Sequence, residues 1–168
     1  MALETLTIPE ALLRLLAATL LGALLGFNRE SRGKPAGLKT LTLVSIGSAS
    51  FVLIALELYR SVPDTAQGSS RIDLTRVIQG VVGGIGFLGA GSIIRARGAV
   101  LGTTTAATIW TVAAIGLACG LGQYVLAVLV TLISWLVLVG FGYFERRWLG
   151  HPDARPHRND LPPPTPEP

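Results

Sequence analysis

Between Asp73 and Glu145 the sequence contains no acidic residue at all. Charge of either sign is scarce: Asp, Glu, Lys and Arg make up 14% of the 168 residues, where a soluble domain carries roughly 25%. That shortage excludes an ordinary soluble globule, which needs polar surface to cover its core. Cysteine occurs once, at Cys119, which excludes an intrachain disulfide and any dithiol redox chemistry. The two histidines, His151 and His157, fall near the C-terminus. No nucleophile, base and acid are spaced as a catalytic set, so neither an enzyme nor a cofactor is expected. What the sequence has in plenty is apolar length. Half of its residues are hydrophobic and the mean hydropathy is +0.56. Runs of about 20 apolar residues, enough to cross a bilayer, recur along the chain.

The pattern predicts an all-α membrane protein, a compact bundle of about five transmembrane helices over residues 8–27, 39–58, 77–94, 104–120 and 124–144. Thr7 and Glu10 have the spacing of a capping box at the first helix start. A secretion signal would need a positive leader, but Glu4 and Glu10 are the charges there, with no Lys or Arg before Arg14. The last two spans are separated by Leu121-Gly122-Gln123 alone, which predicts a tight antiparallel hairpin. Residues 1–149 form the membrane domain on this reading. Residues 150–168, with seven prolines, several charges and few apolar residues, read as a disordered tail.

The formal charge of +4 and pI near 9.8 come from short basic blocks between the apolar runs, which act as topology signals and not as a nucleic-acid surface. Arg29, Arg32, Lys34, Lys39, Arg95, Arg97, Arg146, Arg147, Arg155 and Arg158 fall on one side of the membrane; Arg60, Arg71 and Arg76, offset by Asp64 and Asp73, fall on the other. The positive-inside rule puts the larger group, and the C-terminus, in the cytoplasm and the N-terminus outside. Tyr59 and Tyr124 at one face, with Tyr143 and Trp148 at the other, suit interfacial belts.

Lipid offers helices no hydrophobic drive to associate, so small residues that permit close backbone contact take over. Gly22 with Gly26, Gly80 with Gly84, and Gly116 with Gly120 carry that spacing. The third span also holds Gly83, Gly86, Gly89, Ala90 and Gly91, and is expected at the bundle centre, either as packing surface or as a broken helix beside a solute path. Gly84-Ile85-Gly86-Phe87-Leu88-Gly89 matches a dinucleotide fingerprint by accident: no strand precedes it, and no acidic residue follows to hold a ribose.

Two groups of polar residues stand out. Arg14, Glu57 and Gln79 fall at similar depth near the outer face, where Arg14 either snorkels alone or pairs with Glu57 beside Gln79. On the cytoplasmic side, Asn28, Arg29, Glu30, Arg32 and Lys34 form one loop, and Arg95 leads to Thr103 and Thr104 at a helix start. Helix amides with nearby arginines suit an anion or a partner surface; topology and lipid headgroups are the plainer explanation. Magnesium prefers carboxylate oxygens with retained waters, yet Glu30 and Glu57, the acids nearest the spans, fall on opposite sides. No metal site is expected.

Taken together the motifs resemble the MgtC/SapB family of bacterial inner-membrane proteins. The matching segments are Leu21-Gly22-Ala23-Leu24-Leu25-Gly26, Arg29-Glu30, and Arg32-Gly33-Lys34-Pro35-Ala36-Gly37-Leu38-Lys39-Thr40. They continue as Gly84-Ile85-Gly86-Phe87-Leu88-Gly89-Ala90-Gly91, Gly102-Thr103-Thr104-Thr105-Ala106-Ala107, Trp110 and Ala113-Ala114-Ile115-Gly116-Leu117. The likeness spans residues 10–145. It implies a multi-pass bacterial inner-membrane protein linked to magnesium limitation, and to regulation of ATP synthase or membrane energetics. Leu41 stands where the family commonly has His, and Asn28 where it often has Glu. The soluble C-terminal domain of longer members has no counterpart here, so functions of that domain are not expected of this chain.

Two functions follow. A non-enzymatic regulator would bind another membrane complex through its helices and form a dry bundle. A small-solute or magnesium transporter would use the glycine-rich third helix with Arg14, Glu57 and Gln79, and would need a water-filled cavity. A homodimer through the glycine faces is compatible with either, and the lipid bilayer is the partner in both.

Overall fold

The computed structural model describes residues 6–61, 74–96 and 99–144. Five helices occupy them: α1 (Ile8–Ser31), α2 (Leu38–Ser61), α3 (Leu74–Gly91), α4 (Thr103–Gly120) and α5 (Tyr124–Phe144). Each is long and apolar enough to cross a membrane, so the chain is an all-α membrane protein. Between α3 and α4 a two-stranded antiparallel ribbon pairs β1 (Ile94–Ala96) with β2 (Ala99–Leu101), with Arg95 opposite Val100. The chain divides into two compact units, Met1–Trp135 and Leu136–Pro168. The sequence-predicted tail at 150–168, the basic residues from Arg146 onward and Trp148 lie outside the described residues.

Helix starts and stops have local causes. The Thr7 hydroxyl accepts the Glu10 N–H at 3.4 Å, opening α1 with Pro9 in its first turn. Only that half of the expected capping box forms, because the Glu10 carboxylate accepts from Arg14 instead. After α4, Gly122 adopts φ +76, a left-handed conformation that glycine enters without a Cβ clash. This lets the Gln123 N–H return to the Ala118 carbonyl at 2.8 Å and close the helix. The expected third span overran its helix. At Ser92 and Ile93 the N–H groups bond back to Leu88, Gly89 and Ala90 carbonyls, and Ile94 has already entered β1.

The core of the first unit is a glycine–serine seam between α1, α2 and α4. On α1 the buried stripe is Arg14, Ala18, Gly22, Leu25, Gly26 and Arg29, a spacing of three and four that keeps one face inward. A Cβ added to Gly22 would lie 2.7 Å from the Ser45 Cβ, and one on Gly26 would lie 2.8 Å from the Leu38 Cα. On α4, a Cβ at Gly116 would reach within 2.9 Å of the Ser48 Cβ, and one at Gly120 within 2.8 Å of the Val52 Cβ. α2 therefore meets both neighbours at backbone distance. The order of these contacts makes α2 and α4 parallel, with α1 antiparallel to both.

The central helix is α4, not α3. Eleven residues of α4 are buried, including Ile109, Val112, Ile115 and Cys119. In α3 only Ile85 and Gly89 are. Gly80, Gly83, Gly84, Gly86 and Gly91 have nothing within 4 Å of an added Cβ, and Phe87 is 81% exposed. The expectation that α3 sits at the centre fails for a physical reason. Its glycine rows offer flat surface but few side chains to fill a neighbour's grooves, whereas α4 alternates small residues with branched apolar ones and can be enclosed. Of the three glycine pairs, Gly22/Gly26 and Gly116/Gly120 are packing sites within the chain; Gly80/Gly84 is not.

Ser45 and Ser48 are fully enclosed, at 0% and 2% exposure, yet neither hydroxyl has a hydrogen-bond partner. Their smallness is what the seam uses. Ser45→Ala should accordingly be neutral or stabilising by about 1 kcal/mol, since an unpaired buried hydroxyl costs energy. Gly116→Val should destabilise the purified protein by roughly 2 kcal/mol or more through overpacking. Gly83→Ala, in open space, should leave stability unchanged or raise it by about 0.5–1 kcal/mol through helix propensity. Denaturation in mixed micelles measures all three.

Candidate functional site

At the end of the unit where α1 stops and α4 starts, the chain assembles a junction around Arg29 and Glu30. The turn after α1 is closed by the Arg32 and Lys34 N–H groups on the Arg29 carbonyl, at 3.2 and 3.0 Å, and by the Gly33 N–H on the Glu30 carbonyl at 2.9 Å. Gly33 takes φ +59, as a residue just past a helix end commonly does. The loop then folds back over α1. The Glu30 Oε2 accepts the Leu38 N–H at 3.0 Å, so a carboxylate caps the start of α2. Gly37 leaves room for it, since a Cβ there would fall 2.9 Å from the Glu30 Cδ.

Arg29 points the other way, into the bundle. It is 4% exposed; its Nη2 donates to the Pro35 carbonyl at 2.9 Å and to the Thr105 hydroxyl in the first turn of α4. One guanidinium thus holds α1, the α1–α2 loop and α4 together. Asn28, Arg32 and Lys34 are half-buried, while Glu30, Lys39, Arg95, Thr103 and Thr104 are exposed. Thr103 and Thr104 were the sequence-predicted site residues, but the threonine that meets Arg29 is Thr105. Its phase was readable: Thr105, Thr108, Ile109 and Val112 form the buried face of α4.

At the opposite end Arg14 does the corresponding work. Its Nη1 donates to the Gly120 carbonyl at 2.6 Å, and its Nη2 pairs with Glu10, one turn earlier on α1. The expected Arg14–Glu57 pair does not form. Glu57 and Gln79 are both exposed, and the carboxylate on the same helix reaches Arg14 at little entropic cost. The carbonyl end of α4 supplies the other half of the attraction, because the C-terminus of a helix carries partial negative charge. Arg14 is buried and bridged, so it does not snorkel alone either. Among the described residues, no group of three or more His, Cys, Asp or Glu is placed to hold a metal ion.

Residues 15–147 match the MgtC family. The chain is 44% identical to protein SrpB of Synechococcus elongatus, over 81% of this chain and 78% of that protein. It is 45% identical to protein MgtC of Salmonella typhimurium over 73% of this chain, and 37% identical to "Putative magnesium transporter YhiD" of Escherichia coli over 79%. The matched region spans 48% of MgtC and 60% of YhiD, so this chain covers about half the length of those two relatives. No solved structure matches it.

The geometry ranks the polar residues in a way that can be measured. Arg14→Gln should lower the stability of the folded protein by about 1.5–3 kcal/mol, the worth of hydrogen bonds to a charged group. Glu57→Gln should change it by less than about 0.5 kcal/mol, as at other exposed positions.

Proposed function

The chain belongs to the MgtC family, and from that premise we propose that it is a non-enzymatic regulator in the bacterial inner membrane, linked to magnesium limitation or membrane energetics through contacts with other membrane proteins. In this reading its N-terminus is outside and its C-terminus cytoplasmic, with the basic α1–α2 loop and the α3–α4 ribbon on the cytoplasmic side. The observation that carries the proposal is the sign of the buried charge. Among the described residues, the charged side chains enclosed in the bundle, Arg14 and Arg29, are cationic. A divalent cation crossing between α1, α2 and α4 would meet a guanidinium at each end, with no hydration-replacing carboxylate between them.

Contacts with a partner have a natural surface. Along α3 the exposed glycines Gly80, Gly83, Gly84 and Gly86 leave open space in which another helix can approach to backbone distance. That helix belongs to a different membrane protein or to a second copy of this chain. α5 adds exposed Val125, Leu129, Leu132 and Ile133, which lipid alone can cover.

The second reading, a magnesium transporter, rests on the name carried by YhiD. The two separate in sealed vesicles reconstituted with the full chain and loaded with a magnesium indicator. Influx equal to that of protein-free vesicles is expected. Selective magnesium influx that is lost in Glu57→Ala would overturn the regulator reading and favour transport.

A further inference from the structure

The ribbon between α3 and α4 is apolar where a loop standing in water would be polar. From Ile94 to Leu101 the sequence holds no Asp, Glu, Asn, Gln, Ser or Thr, and its polar residues are Arg95 and Arg97. Arg97 and Gly98 lie outside the described residues. Ile94 is 61% exposed, Val100 52% and Leu101 40%, and Arg95 is exposed as well. Strand pairing sorts these side chains by face. Ile94 stands opposite Leu101, so the two share one side of the ribbon, while Arg95 and Val100, opposite each other, share the other. The order Ile94-Arg95-Ala96-Arg97 repeats the alternation of apolar and basic in the sequence itself.

The helices that the ribbon joins set its depth. The Ser92 and Ile93 N–H groups bond back to carbonyls of α3, β1 starts at the next residue, and Gly102 alone separates β2 from α4. An added Cβ at Gly102 would lie 2.9 Å from the Ser92 carbonyl carbon, so the two roots of the ribbon are side by side. The bond from Arg29 to Thr105 puts the start of α4 level with the last turn of α1. With 24 residues, α1 is about 36 Å long, against a hydrocarbon core of roughly 30 Å. Its ends reach the headgroup layer, and the root of the ribbon is at that level. Each strand has three residues, or about 10 Å, so the ribbon stays close to the boundary.

Two costs confine it there. A two-stranded ribbon alone in water is marginally stable, and this one leaves Ile94 and Leu101 uncovered. Deeper, in hydrocarbon, the unpaired edges of β1 and β2 would lose their hydrogen bonds to water. We propose that the β1–β2 ribbon is a membrane-interface anchor. Its Ile94 and Leu101 face enters the boundary between headgroups and acyl chains, and Arg95 on the other face bonds headgroup phosphates. The strand edges stay wet. This holds whichever side of the membrane the ribbon occupies, and it does not depend on the regulator reading.

The test uses the full chain in phosphatidylcholine nanodiscs, where both membrane faces meet the buffer. Cys119→Ala removes the native thiol, and Ile94→Cys, Leu101→Cys and Arg95→Cys then each carry a nitrobenzoxadiazole label. Nitroxide on shallow acyl carbons should quench the labels at 94 and 101 more than nitroxide at the chain ends does. Iodide should quench them about twofold less than the label at 95, as for groups held ~5–10 Å into the boundary. Positions 94 and 101 report on one face independently, so if Ile94→Cys fails to fold, Leu101→Cys decides. Equal iodide quenching at all three positions without nitroxide quenching would put the ribbon in water and overturn the proposal. Shielding of 94 and 101 from both quenchers would overturn it too, by showing that protein covers that face, from this chain or a second copy.

Discussion

The structure depends on α4 lying at backbone distance from its neighbours, with an arginine of α1 fixed to each of its ends. In a bilayer, burying apolar side chains against one another gains little over leaving them in lipid, so helix association needs close van der Waals contact and interhelical polar bonds. Both are concentrated on the α1–α2–α4 seam. Gly22 and Gly26 on α1, and Gly116 and Gly120 on α4, bring three backbones together around Ser45 and Ser48 of α2. Arg14 reaches the Gly120 carbonyl and Arg29 the Thr105 hydroxyl. The two arginines are fifteen residues apart, as are the two α4 positions they hold, so the pair fixes the register of two antiparallel helices.

That arrangement makes the two ends of α4 chemically different. Arg14 meets the negative end of α4 and has Glu10 beside it, so its charge is answered twice. Arg29 meets the positive end of the same helix, and among the described residues no carboxylate pairs with it. The same residue type is therefore an ion-paired clamp at one end and, among the described residues, a clamp held by neutral oxygens at the other. The basic α1–α2 loop adjoins Arg29 in sequence, and Arg95, Thr103 and Thr104, on the ribbon and the start of α4, are exposed.

Much of this was legible in the residues. Five apolar runs, the first four parted by charged segments and the last two by Leu121-Gly122-Gln123 alone, match five helices, and their starts agree with the structure to within three residues. Periodic small residues marked the packing faces of α1 and α4. The partner expected for Arg14 was not the one it has. A charge in a span pairs with whatever acid is nearest in space, and Glu10, one turn away on the same helix, outcompetes Glu57 across a helix interface. The position of α3 was misread because glycine spacing reports what a helix could pack against, not whether the partner is in the same chain. Thr105 was overlooked in favour of its neighbours, because three consecutive threonines differ only in the direction each one faces. The β1–β2 ribbon is too short to leave an alternating pattern, with Ile94 reading as the last residue of a span.

The most direct test of the seam is a disulfide across it. With Cys119 replaced by Ala, Gly22→Cys and Ser45→Cys put two thiols on the α1–α2 contact, where an added Cβ at Gly22 approaches the Ser45 Cβ to 2.7 Å. Slight relaxation brings that pair to the Cβ separation of about 3.5–4.5 Å that a disulfide requires. Oxidation in native membranes should link the pair within one chain, while Gly83→Cys paired with Ser45→Cys should remain unlinked. Linkage of Ser45→Cys to the α3 position, and not to α1, would contradict the account by placing α3 in the centre of the bundle.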